Sequence, residues 1–132
     1  MENLFFDSGS YRIYIRLKKT IKIEIGSLGL KLFDKGVYVY TGSAMRNLHS
    51  RIERHKRKDK KIRWHIDYLL NNQNVEIINI DSFPSDKREE CLLNMELIEK
   101  GAIVTIHKFG SSDCRTCPAH LVYFGKEFDL KS

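Results

Sequence analysis

A chain of 132 residues, 42% hydrophobic and 30% charged, reads as one globular domain over residues 1–132 with a single modest core. No run approaches the roughly 20 apolar residues of a membrane span. The opening MENLFFDSGS carries two acids and no basic leader, which argues against a secretory signal and makes the cytoplasm the default location. The net charge of +6 is unevenly spread, because residues 46–63 hold nine lysines and arginines against two acids, a net +7, and the rest of the chain sums to −1. That block (Arg46, Arg51, Arg54, Lys56, Arg57, Lys58, Lys60, Lys61 and Arg63) is expected to meet an anionic partner. Nucleic acid is favoured because the block adjoins the candidate site below. An acidic protein partner, or a merely solvated helix end, would read the same way.

In chain order, residues 10–17 (SYRIYIRL) alternate, with Tyr11, Ile13, Ile15 and Leu17 on one face and Arg12, Tyr14 and Arg16 on the other, which predicts a strand. IKIEI at 21–25 alternates again, Gly26 to Gly29 turn the chain, and LKLF at 30–33 reads as the returning strand. Val37, Tyr38, Val39 and Tyr40 form a further strand that Gly42 and Ser43 are expected to break. A helix follows from about Ala44 to Lys58, entered by Ser43 as N-cap. A second, about 60 to 72, has Ile62, Ile66, Leu69 and Leu70 at helical spacing. VEIINI at 75–80 is a strand. Asp86 with Glu89 three residues on starts a third helix, whose apolar stripe would be Cys91, Leu92, Met95 and Ile98 and whose cap would be Gly101. A short strand near 102–106, a turn-rich segment 107–119 and a last strand at 120–124 complete an α+β domain: a small antiparallel sheet flanked by helices.

The chemistry-bearing residues cluster in GVYVYTGSAMRNLHSRIERH, residues 36–55. Leu48, Arg51, Ile52 and His55 fall within about a 100° arc of a helix, so Arg51 and His55 border its buried stripe. A tyrosine at a strand end with an Arg and a His one helical turn apart suits phosphate chemistry. Each member also has a plain reading: strand aromatics for Tyr11 and Tyr40, a helix-face histidine for His55, a first-turn glutamate for Glu90.

Six motifs in order carry a resemblance across residues 9–124: Gly9-Ser10-Tyr11, Tyr40 to Ala44, Arg51 to His55, Trp64 to Leu70, Glu90-Cys91, and Gly110 to His120. Together they resemble the GIY-YIG nuclease superfamily, in particular its Uri-type endonuclease-like branch, also found joined to endonuclease III-type glycosylases. The resemblance implies a GIY-YIG-like fold in which a hairpin at about 20–33 is inserted between the two motif strands. It implies phosphodiester hydrolysis on DNA, structured or damaged and so in the setting of repair, with Mg²⁺ or Mn²⁺ held by Glu90. Arg51 would clamp phosphate oxygens and Tyr40 would take a proton from water, with Tyr11 and His55 assisting. A tyrosine base starts near pKa 10, so the metal and Arg51 would have to lower it. The alternative is a non-catalytic nucleic-acid-binding module using the basic face.

Cys114, Cys117 and His120 form C-x₂-C-x₂-H and, with Cys91, supply four residues of the types a closed structural Zn²⁺ site takes. A disulfide or packed thiols would use the same cysteines. His65 reads as a supporting or simply satisfied helix histidine.

Overall fold

The computed structural model describes residues 7–58, 60–110 and 119–125. Alternation with apolar residues on both sides places β1 (Gly9–Leu17) in the middle of the sheet, where both of its faces are covered. It pairs antiparallel with β4 (Gly36–Ala44) on one side and β5 (Val75–Pro84) on the other, and β4 then pairs with β6 (Leu121–Gly125). The order is β5-β1-β4-β6. β2 (Ile21–Glu24) and β3 (Leu30–Phe33) form a separate two-stranded sheet, the inserted hairpin expected at about 20–33. The protein is α+β.

One face of the sheet presents Tyr11, Ile13, Ile15, Leu17, Tyr38 and Tyr40. Against it pack the hairpin through Ile23, Ile25 and Phe33, helix α1 (Leu48–His55) and helix α2 (His65–Leu70) through Ile66, Leu69 and Leu70. On the opposite face Tyr14, Val39 and Val122 meet Leu97 and Ile98 of helix α3 (Glu90–Glu99). Arg12 fixes α3 there: its Nη2 donates to the Leu93 carbonyl at 2.8 Å and to Glu96 Oε1 at 3.2 Å. Among the described residues no helix is long and apolar enough to cross a membrane.

Several boundaries differ from those expected, each for a local reason. β4 does not break at Gly42 but runs to Ala44, and α1 begins only at Leu48. Ser43 is therefore a strand residue, not an N-cap, and its hydroxyl hydrogen-bonds that of Ser10 at 2.8 Å. The N-cap position falls to Asn47, in the left-handed conformation at φ 58°, which asparagine tolerates. α2 starts at His65 because buried Asp67 accepts from the backbone N–H groups of Arg63 and Trp64 at 2.9 and 3.0 Å, ending the extended approach there. In α3 the expected apolar stripe is rotated: Asn94 and Leu97 are buried, whereas Leu92 and Met95 are exposed. The turn is set by polar ties, since Asn94 Nδ2 donates to the Ala119 carbonyl and the Glu89 N–H to the Ser10 hydroxyl. The strand expected at 102–106 reduces to a single bridge between Ile103 and Tyr123.

Gly42 is not a turn glycine. A Cβ there would lie 2.6 Å from the Tyr11 hydroxyl and 2.7 Å from its Cζ, and the Tyr11 ring cannot yield because it is buried and hydrogen-bonded. Gly42→Ala should therefore destabilise the fold by about 1–3 kcal/mol, the usual cost of overpacking, read as a lowered midpoint in denaturant unfolding. An unchanged midpoint would mean the ring has somewhere else to go.

Candidate active site

The sheet and α1 bring three rings together. Tyr11 arrives on β1, Tyr40 on β4 and His55 at the end of α1. The Tyr11 hydroxyl hydrogen-bonds His55 Nε2 at 2.8 Å. The Tyr11 and His55 ring centroids lie 5.3 Å apart, and Tyr40 stands 6.4 Å from Tyr11 and 6.2 Å from His55. His55 is 1% exposed, and its Nδ1 has no hydrogen-bond partner among the described residues. Burial pushes the imidazole down to about 4, with Asp67 opposing, so it is neutral at neutral pH. Burial pushes the Tyr11 phenol up to about 12, with Arg51 opposing.

Tyr40 corrects one expectation about charge. Its phenol is held well above the ordinary tyrosine value, first by burial and then by Tyr11 and Glu90; Arg51 pulls the other way and is outweighed. The Arg51 charge alone does not make Tyr40 a base.

Arg51 reaches back from α1, donating from Nη1 to the Ser43 carbonyl at 3.1 Å. Its guanidinium lies 4.7 Å from the Trp64 ring centroid, with those of Arg54 and Arg63 at 4.6 and 5.1 Å. Three cations on one indole stack favourably with the ring but repel each other. Only Arg54 has a carboxylate among the described residues: both its Nη atoms meet buried Asp67, at 3.1 and 3.0 Å. Hydrogen bonds to Arg54 and to two backbone N–H groups hold Asp67 below the usual carboxylate range against its burial.

Glu90 opens α3 and faces a cavity of about 930 Å³ whose walls include Tyr40, Trp64, Arg63, Arg88 and His120. The five residues singled out in the sequence thus come from four separate elements to one end of the sheet. Tyr40 and Glu90 line the cavity; Tyr11 and His55 back it. Sequence reasoning overlooked Arg88 and the Ser10–Ser43 pair. Arg88 sits among acids without periodicity to mark it, while the two serines are visible only once the strand register is known.

The basic block divides into two groups. Arg46, Lys56, Arg57, Lys61 and Arg63 are exposed. Arg54 is engaged with Asp67 and the Lys61 carbonyl. Lys58 Nζ donates to the carbonyls of Leu70, Asn72 and Val75, and buried Lys60 donates to those of His55 and Arg57. These two lysines cap the ends of α2 and α1, so the surface charge for a partner is smaller than the sequence count suggests.

His65 is a satisfied histidine, accepting the Gly110 N–H at Nδ1 at 3.0 Å. Of the proposed zinc ligands, Cys114 and Cys117 lie outside the described residues. Cys91 and His120 are described and adjacent, Sγ to Nε2 3.4 Å.

These features define an α+β domain with a buried tyrosine–histidine cluster behind an arginine-walled cavity. Over residues 10–132 the chain matches the model of a domain of unknown function, DUF123, and it belongs to that family. No curated protein and no solved structure matches it.

Two measurements test this site's physics. The unfolded chain protonates His55 near its ordinary 6.5 while the folded chain resists until about 4, so the unfolded state binds more protons between those values. Stability should fall by about 2 kcal/mol as pH drops from about 6.5 to about 5, and His55→Gln should flatten that slope in denaturant titrations. Separately, Arg54→Ala leaves Asp67 buried and unpaired and should cost about 3 kcal/mol, whereas exposed Arg57→Ala should stay within about 0.5 kcal/mol. Equal losses would place Arg54 with the solvated charges.

Proposed function

We propose that this chain is a divalent-metal-dependent phosphodiesterase of the GIY-YIG kind acting on nucleic acid, DNA in the first instance. The observation that carries the reading is that Tyr40 and Glu90 line one cavity with Trp64, Arg63 and Arg88, while Tyr11 and His55 pack behind Tyr40 and Arg51 stacks on Trp64.

Hydrolysis of a phosphodiester needs an oriented water, neutralised phosphoryl oxygens and a stabilised leaving oxygen. Arg51 supplies a planar fork for two phosphoryl oxygens beside Trp64, whose ring also offers a platform for a base. Arg63 and Arg88 put positive charge on the cavity walls. Tyr40 places a hydroxyl at the cavity edge to orient the attacking water, and would take that water's proton only as the phenolate that a bound cation beside it would favour. The Tyr11–His55 pair, neutral at neutral pH, fixes the floor behind it. Glu90 is one carboxylate facing a roomy cavity, the donor set that Mg²⁺ or Mn²⁺ takes between a protein and a substrate phosphate. Such an ion would supply the positive charge that Arg51 alone does not.

A second reading, a binding module without catalysis, is favoured by one observation: Tyr40 is held protonated by burial. A panel of labelled duplex, nicked, flapped and single-stranded DNA, with and without Mg²⁺ or Mn²⁺, separates the two. The enzyme cleaves at least one substrate, and Tyr40→Phe, Arg51→Ala and Glu90→Gln each lower cleavage by about a hundredfold or more. Tyr40→Phe should leave binding nearly intact. Changing Lys56, Arg57, Lys61 and Arg63 together to Glu should weaken binding and flatten its salt dependence. Tight binding with no cleavage on any substrate would leave the binding module standing.

A further inference from the structure

We infer that the inserted hairpin and α2 build a nucleobase subsite into the cavity wall, one that takes an unpaired base of a bound strand. It rests on the nucleic-acid part of the proposed function and not on catalysis. The first observation is what lines the wall. Besides the groups assigned above, the cavity is lined by Gly26 and Ser27 from the turn of the hairpin, by Ile62, and by Tyr68 of α2. None of the four carries a charge, so a phosphate or a metal ion gains little from them. They offer instead an apolar surface, with hydroxyl groups from Ser27 and Tyr68 that can hydrogen-bond the edge of a base. Ile62 is exposed although Ile66, Leu69 and Leu70 just after it are buried. A base laid over Ile62 would take that surface out of water.

The second observation is that this wall is held in place. Gly26 is left-handed at φ 47°, and a Cβ there would lie 3.0 Å from the Tyr68 hydroxyl and 3.3 Å from two of its ring carbons. The hairpin turn therefore packs on the hydroxyl end of the Tyr68 ring, and that ring also packs against the core. Pairing of β2 with β3 fixes the hairpin, and the N–H groups of Ile25 and Gly29 close its turn on the carbonyls of Gly29 and Gly26. A wall built this way loses little freedom when a ligand arrives.

The third is the company it keeps. Arg63, next to Ile62 in the chain and stacked on Trp64, lines the same cavity. A guanidinium for the backbone beside an aromatic ring for the base is how single-strand sites grip nucleic acid. The cavity, about 930 Å³, lies within the roughly 300–1,000 Å³ of pockets that enclose a small molecule, which suits one nucleotide. Bases within a duplex show only their edges in the grooves, so they cannot lie on Tyr68. A base from a single strand, or one swung out of a helix, can.

The test measures affinity by the anisotropy of end-labelled DNA in EDTA, so that nothing is cut. Three ligands of equal length are compared at one salt concentration: a single strand, the same strand with abasic units across its middle, and a blunt duplex. The wild type should bind the normal strand about tenfold or more tighter than the abasic one. Tyr68→Leu keeps an apolar side chain against the core and removes the flat ring; its folding is checked by circular dichroism. It should lose that tenfold on the normal strand and keep wild-type affinity for the abasic strand and the duplex. Tyr68→Phe, which retains the ring, should bind the normal strand within about threefold of wild type. Equal affinity for normal and abasic strands would overturn the subsite, with or without a folded variant. So would an equal loss on strand and duplex in Tyr68→Leu. Base-dependent binding without cleavage in Mg²⁺ would remove the phosphodiesterase and leave the subsite, cleavage with base-blind binding would do the reverse, and no binding to any DNA would end both.

Discussion

The rest of the structure hangs on the placement of the Tyr11 ring over the bare backbone of Gly42. β1 and β4 are paired so that Tyr11 stands directly opposite Gly42. The empty position lets the ring close onto the neighbouring strand, and its hydroxyl reaches His55. A one-residue slip would send Tyr11 to the other face of the sheet, because side chains alternate with period two. The same contact therefore sets register, anchors the end of α1 and lays the floor of the cavity. Ser10 and Ser43, one position along each strand and on the opposite face, add a polar latch that also receives the backbone of Glu89. Stability and site geometry are thus fixed by the same few atoms.

The cationic stretch shows how charge can serve two purposes in one segment. Some groups close helices: Lys60 and Lys58 satisfy carbonyls that α1 and α2 leave open, and Arg54 neutralises the acid that starts α2. Outward groups are left for solvent or a partner. Trp64 stands at the boundary, its ring shared by one arginine paired with Asp67 and by Arg51 and Arg63. An anion arriving there would relieve the repulsion among these guanidinium groups.

Much of this was legible in the sequence because it depends on periodicity. The alternation of Tyr11 to Leu17 and of Val37 to Tyr40 marked two central strands, the alternation on either side of Gly26 to Gly29 marked the hairpin, and the spacing of Arg51 and His55 set them beside buried Leu48. What escaped depends on contacts between distant segments. That β4 passes through Gly42 and Ser43 without breaking follows from β1 lying alongside, which no local pattern encodes. The rotation of α3 follows from Asn94 finding the Ala119 carbonyl, a partner far along the chain. The internal roles of Lys58 and Lys60 were hidden for the same reason: a lysine's neighbours in sequence do not reveal which carbonyls its ammonium group will reach.

The position of β1 also governs when the fold can come together. Its two neighbours differ greatly in sequence distance: β4 follows after one hairpin, whereas β5 pairs Gly9 with Pro84. On a ribosome, β1, the hairpin and β4 emerge first and can pair, leaving β1 with one unsatisfied edge and the sheet without its covering helices. That edge is a template for another chain until β5 is synthesised. The outer strands are thus added last onto a centre made first, and the tyrosine–histidine cluster is assembled before the cavity it serves has its far wall.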